Sequence, residues 1–130
     1  MIIIGHKFVK TQPFYLIKKV EDIAKTPPNS TVVFDFSEAN LQLIDHCNKS
    51  SIPFAVICDS IKDVLFSNAL EAKYIICDKV VSQKAQKLAD NYMFDAKILL
   101  YSSEEADLEW ASENEIDGIL FEEGINYGSC

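Results

Sequence analysis

The sequence predicts an α/β domain on a mostly parallel sheet of about six strands, and three observations carry that reading. Short apolar runs recur as IIIG, VVFD, VICD, IICD, ILLY and ILFE, the last five beginning 19 to 24 residues apart. The segments between them place apolar residues at the helical period. The runs are continuous rather than alternating, as strands buried on both faces are. Right-handed crossovers then bring every strand's carboxyl end to one edge. The leading arrangement is a three-layer, doubly wound, flavodoxin-like sheet, and the alternative is a partial (βα) barrel that would complete itself by dimerising.

The first strand is Ile2 to Gly5, and Phe14, Ile17, Val20, Ile23 and Ala24 make the stripe of a first helix with Pro13 near its first turn. Pro27 and Pro28 end it before the strand Val32 to Asp35. Ser37 is the candidate N-cap of a second helix with stripe Leu41, Ile44 and Cys47, and His46 falls late in it, where the helix dipole favours a histidine. Pro53 precedes the strand that ends Val56 to Asp59, and Ser60 caps a helix with Ile61, Val64, Leu65, Ala69 and Leu70 on one face. Ile75 to Asp78 follows, then a helix with Ala85, Leu88, Ala89 and Tyr92 inward and Ser82 as candidate cap. Ile98 to Tyr101 leads into Ser102, which has capping-box spacing to Glu105, and into a fifth stripe of Ala106, Trp110 and Ala111. The last strand is Ile119 to Glu122, and Gly124 to Cys130 reads as a short loop end. The order is βαβαβαβαβαβ with five helices, and residues 1–130 form a single domain.

Twelve basic against twenty acidic residues give a formal net charge of −8. That field disfavours nucleic acid and anionic membrane surfaces, while leaving small anions open where backbone amides and a lysine converge. MIII is too short for a signal peptide, and no run approaches the roughly 20 apolar residues of a membrane span. Cys47, Cys58, Cys77 and Cys130 form no CxxC pair and read as the reduced thiols of a cytoplasmic protein.

Ligands of open α/β sheets bind beyond the carboxyl ends of the strands. That edge nominates Gly5, His6 and Lys7; Asp35 and Ser37; Asp59 and Ser60; Asp78 and Lys79; Tyr101, Ser102 and Ser103; and Glu122 with Glu123. Neighbouring strands lie about 4.8 Å apart, so acids at equivalent positions come within reach of one another. Such acids share a proton or hold a cation, and Asp35, Asp59 and Asp78 are the candidate ligands of Mg²⁺. Helix capping explains acids at the same positions, because each precedes a helix start. His6 is the candidate general acid or base, with Lys7 as an anion partner. Ser37, Ser60, Lys79, Ser102 and Glu122 are the candidate ligand-binding residues. Cys58 and Cys77 lack the short Cys or His spacing of a zinc site and read as buried apolar groups.

The chain contains no GxGxxG, P-loop or GxSxG motif, and only 4 glycines from which to build a cofactor loop. VVFDFSEAN resembles the aspartate loop of haloacid-dehalogenase phosphatases, but Ser37 replaces their second aspartate. Receiver domains need an acidic pair where this chain has Gly5, His6 and Lys7. IIIGHK and DGILFEEG are similar to the end strands of glycerophosphodiester phosphodiesterases, without the Arg-Gly that follows their histidine. No family reaction is therefore implied.

Two expectations of function follow. One is a domain acting through homodimerisation or an unknown protein partner, with Phe8, Phe14, Tyr15, Phe94 and Trp110 supplying an interface. The other is a small-molecule or divalent-metal-binding hydrolase or lyase, its site at the strand ends.

Overall fold

The computed structural model describes residues 1–127, so Cys130 lies outside the described residues. Eight strands are present: β1 (Ile2–Ile4), β2 (Phe14–Leu16), β3 (Val32–Asp35), β4 (Phe54–Ile57), β5 (Tyr74–Cys77), β6 (Lys97–Ser102), β7 (Gly118–Phe121) and β8 (Ile125–Asn126). The α-helices are α1 (Leu41–Lys49), α2 (Ile61–Ala69), α3 (Lys79–Asn91) and α4 (Asp107–Glu113). All neighbouring strands are parallel, in the order β1-β7-β6-β5-β4-β3-β2-β8.

From β2 to β7 the strands follow chain order without a reversal. Right-handed crossovers that always step the same way deposit their helices on the same face. The core divides accordingly, one residue of strand at a time. Val32, Phe34, Phe54, Val56, Ile75, Ile98, Leu100 and Ile119 pack with Leu43, Ile44, Val64, Ala85 and Ala111 of the helices. The intervening residues Val33, Ala55, Ile76, Leu99 and Leu120 pack instead with Ile4, Phe14 and Ile125, and no buried residue of a helix joins them. Within the helical layer the Phe34 and Phe54 rings stack at 5.8 Å.

The second face is covered because the sheet curls. From Phe121 to Ile125 the chain advances four residues, which span at most about 14 Å. In a flat sheet β7 and β2 would stand five strand spacings apart, about 24 Å. Yet β8 pairs with β2, matching Phe14 with Ile125 and Tyr15 with Asn126. The far end of the sheet must bend back toward β7, and the result is a half-barrel. Of the two arrangements the sequence allows, the structure takes the partial barrel. Gly5, with φ of 91°, lies so close to Gly124 that a Cβ on Gly5 would sit 2.4 Å from the Gly124 nitrogen. Only glycine permits both that dihedral and that approach.

Several local expectations are corrected. The predicted first helix is strand β2 followed by a 3-10 helix at Val20–Lys25. Phe14, Tyr15 and Leu16 have high strand propensity, and pairing with β3 and β8 outweighs an accidental helical spacing. Asp22 accepts the backbone N–H groups of Lys18 and Lys19 and fixes the turn between strand and 3-10 helix. The expected tail loop contains β8, which with β2 raises the strand count from about six to eight. Ser82 lies inside α3, whose cap is Asp78, accepting from the Val81 N–H. Ser102 ends β6 rather than capping α4, whose N-cap position is Ala106, so the capping box with Glu105 does not form. Ser37 heads a 3-10 turn at Glu38–Asn40 and makes no side-chain cap, whereas Ser60 caps α2 through the Asp63 N–H as expected. Among the described residues no helix is long and apolar enough to cross a membrane.

Candidate functional site

The carboxyl ends of β3, β4 and β5 open into a cavity of about 390 Å³ at the mouth of the half-barrel. Leu16, Ile57, Ile76 and Ile125 form its apolar lining, continuous with the packed interior below. Asp35, Asp59 and Asp78 stand at its rim, and Tyr101 and Tyr127 close the other side. The cavity therefore collects all three acids nominated by the strand-end rule. Each strand supplies its acid two residues beyond its last inward-facing apolar residue, so the polar rim follows directly from the sheet pattern.

The three acids differ in what they already do. Asp78 spends one oxygen on the cap of α3. Asp35 contributes only its backbone carbonyl, to the Asn40 side-chain amide at 2.7 Å. Both Asp35 and Asp59 are exposed. Among the described residues no three His, Cys, Asp or Glu side chains come together as a group that could hold a metal ion. The acids share a mouth without forming a three-ligand centre.

Burial raises the thiols beside them. The Cys58 thiol, hydrogen-bonded to Ser67 at 3.2 Å, is pushed up to about 12, and Cys77 moves in the same direction. Neither is a nucleophile at neutral pH. Burial, and then the facing Tyr127 hydroxyl, raise the Tyr101 phenol above its usual range, so it stays a neutral hydrogen-bonding group.

The remaining candidates lie elsewhere on the same edge. His6 occupies a separate cavity with Lys7, Ser103, Glu105 and Glu123. Its Nδ1 accepts the Phe8 N–H at 3.1 Å, which assigns the proton to Nε2, and Nε2 lies 3.1 Å from the Glu105 carboxylate. The ring also packs against Phe8 and Phe121. Both ring nitrogens are thus occupied, and the histidine organises the short loop bridged between His6 and Val9. Lys79 extends to Asp107 at 2.7 Å and over the Trp110 ring. Ser102 donates to the same carboxylate, also at 2.7 Å. The Lys79 contact first and Ser102 second hold the Asp107 carboxyl below its ordinary range. This network faces a neighbouring cleft shared with Asp78 and Tyr101. Ser37 and Ser60 belong to helix starts, and Glu122, itself exposed, begins the 3-10 turn at Glu122–Gly124.

Sequence reasoning missed Leu16 and Ile125, which wall the mouth from strands it did not identify, and Tyr127, directly after β8. A scan against protein-family models and a search of curated proteins find no match to this chain.

Proposed function

We propose that the chain is a small-molecule-binding domain whose site is the half-barrel mouth, taking a ligand with an apolar body and a cationic group. The observation that carries this reading is the cavity of about 390 Å³ in which an apolar lining meets three carboxylates. Its volume and its pairing of apolar wall with few polar groups are those of ligand sites in general. The apolar body sits on Leu16, Ile57, Ile76 and Ile125, and the cation meets Asp35 and Asp59, whose carboxylates make no hydrogen bond or ion pair among the described residues. Magnesium is the alternative occupant of the rim, because it is commonly held by one or two carboxylates and several waters. Three unpaired buried thiols support a cytoplasmic location. No reaction is assigned.

Differential scanning fluorimetry with primary alkylamines, the matching alcohols and carboxylates, and Mg²⁺ tests the proposal. A ligand at a hundredfold excess over Kd adds about 2.7 kcal/mol of stability. Amines should raise Tm, and Asp59→Asn should reduce the effect. No shift with any amine contradicts the reading.

One further observation supports homodimerisation as a second reading. The outer edge of β1 carries no partner strand among the described residues, and Phe8, four residues beyond β1, is 80% exposed. An unpaired apolar edge favours pairing with another chain. Of the other aromatic candidates, Phe14 is only 3% exposed and serves the interior instead. Sedimentation of the protein and of Phe8→Glu tests this reading: a dimer lost in the variant supports it, and a monomer throughout removes it.

A further inference from the structure

Beside the mouth lies a second cavity of about 690 Å³, bounded by the end of β2, the 3-10 helix with Thr26 and Pro27 after it, and Asn126 and Tyr127. The two cavities share Leu16 and Tyr127, which stand between them as a common wall. The charges on the two sides are opposite. Among the described residues the mouth is lined by three carboxylates and no basic side chain. The second cavity is lined by Lys18 and Lys25 against the single carboxylate of Asp22.

That carboxylate is largely committed. Its Oδ2 accepts the Lys18 and Lys19 backbone N–H groups at 3.0 and 3.3 Å, and only Oδ1 approaches the Lys25 ammonium, at 3.8 Å. Two lysines against one aspartate give this lining a positive excess, and it occurs in a chain of net charge −8. A positive compartment so placed attracts an anion against the field of the whole molecule. The acids of the mouth cannot serve that end, because they repel it.

Resting on the proposed mouth site, we infer that the ligand is an elongated zwitterion. Its cationic end lies at Asp35, Asp59 and Asp78, its apolar middle crosses Leu16 and Tyr127, and its carboxylate or other anion meets Lys18 and Lys25. Strand spacing sets the scale. Asp59 and Asp78 follow β4 and β5, which lie two and three strands from β2, or roughly 10 and 14 Å. Of the three acids only Asp35, which ends β3 one strand from β2, lies within reach of a compact zwitterion with adjacent charges; one that engages Asp59 or Asp78 must be elongated. Tyr127, directly after β8, is 59% exposed.

The test is calorimetric titration of the full chain with straight-chain ω-amino carboxylates of increasing length and with alkylamines of matched length. The carboxylate should tighten binding about tenfold once the chain is long enough to span the wall, the worth of one charge-assisted hydrogen bond. The Lys18→Gln/Lys25→Gln double variant should lose that gain and still bind the amines as the parent protein does. Amines that bind while the distal carboxylate adds nothing at any length overturn the zwitterion and leave the mouth site standing. Failure of both series overturns both readings.

Discussion

Replacing Gly5 by alanine should open the half-barrel at its closure. The new Cβ would lie 2.4 Å from the Gly124 nitrogen and 2.6 Å from its Cα, where ordinary contacts begin at 3.4 Å. Both neighbours are backbone, so the chain between β7 and β8 must retreat by about 1 Å. The dihedral adds to this, since a left-handed backbone costs a non-glycine residue about 1–2 kcal/mol. Retreat also pulls β8 from β2 and lifts Ile125 out of the mouth, where its full burial stabilises by about 1.5–3 kcal/mol. The expected loss is about 2–4 kcal/mol, a large part of an ordinary domain's 5–15 kcal/mol. Urea unfolding followed by circular dichroism measures it. Gly124→Ala is the internal comparison: its Cβ would meet the Leu120 Cδ1 at 2.9 Å and the Ile4 Cγ2 at 3.0 Å, side-chain ends that can yield, and backbone only at the Gly5 Cα, 3.1 Å away. It should cost less than Gly5→Ala. A Gly5→Ala loss below about 0.5 kcal/mol, within the range of inert surface changes, would refute the closure.

Three further outcomes are expected. Cys47 and Cys58, raised by burial to about 11 and about 12, should resist iodoacetamide in the native protein near pH 8 and react in urea, read by mass spectrometry; rapid native labelling would contradict their burial. Asp107, held below its ordinary value by Lys79 and then Ser102, binds a proton less readily when folded than unfolded. Its stabilisation is therefore complete above the unfolded carboxylate value of about 4 and is lost as pH falls through the lower folded value, so Asp107→Asn should flatten that part of an acid denaturation curve. His6→Ala should loosen the loop from His6 to Val9 and lower stability by about 1–2 kcal/mol, while leaving amine binding at the mouth unchanged, because both ring nitrogens are already engaged. Loss of amine binding in His6→Ala, measured by calorimetry, would bring the histidine back into the site.

Much of the frame was legible because the central strands obey one rule. VVFD, VICD and IICD are buried on both faces, and their terminal acids appear at the mouth as the strand-end argument requires. The closure was not legible. Phe14, Ile17, Val20 and Ile23 happen to fall at helical spacing, although Phe14 to Leu16 gains more by pairing on both sides. A strand of two residues, such as β8, has no period to detect. The partial barrel and the doubly wound sheet share the same runs and differ in strand order, which long-range packing decides. The same limit applied to the site. Lys79 and His6 look available in sequence, and their partners Asp107 and Glu105 arrive from α4 and the loop before it, 28 and 99 residues away. The apolar wall of the mouth came from Leu16 and Ile125, in the two strands that local pattern concealed.

The central claim is that the half-barrel mouth is where a ligand binds, and chemical-shift mapping tests it most directly. Titration of the isotopically labelled protein with a long-chain alkylamine should perturb Leu16, Asp35, Ile57, Asp59, Ile76 and Ile125 together. The residues around His6 and Glu105 should stay unmoved. Perturbations centred on that second group, or none at the mouth at saturating amine, would contradict the account.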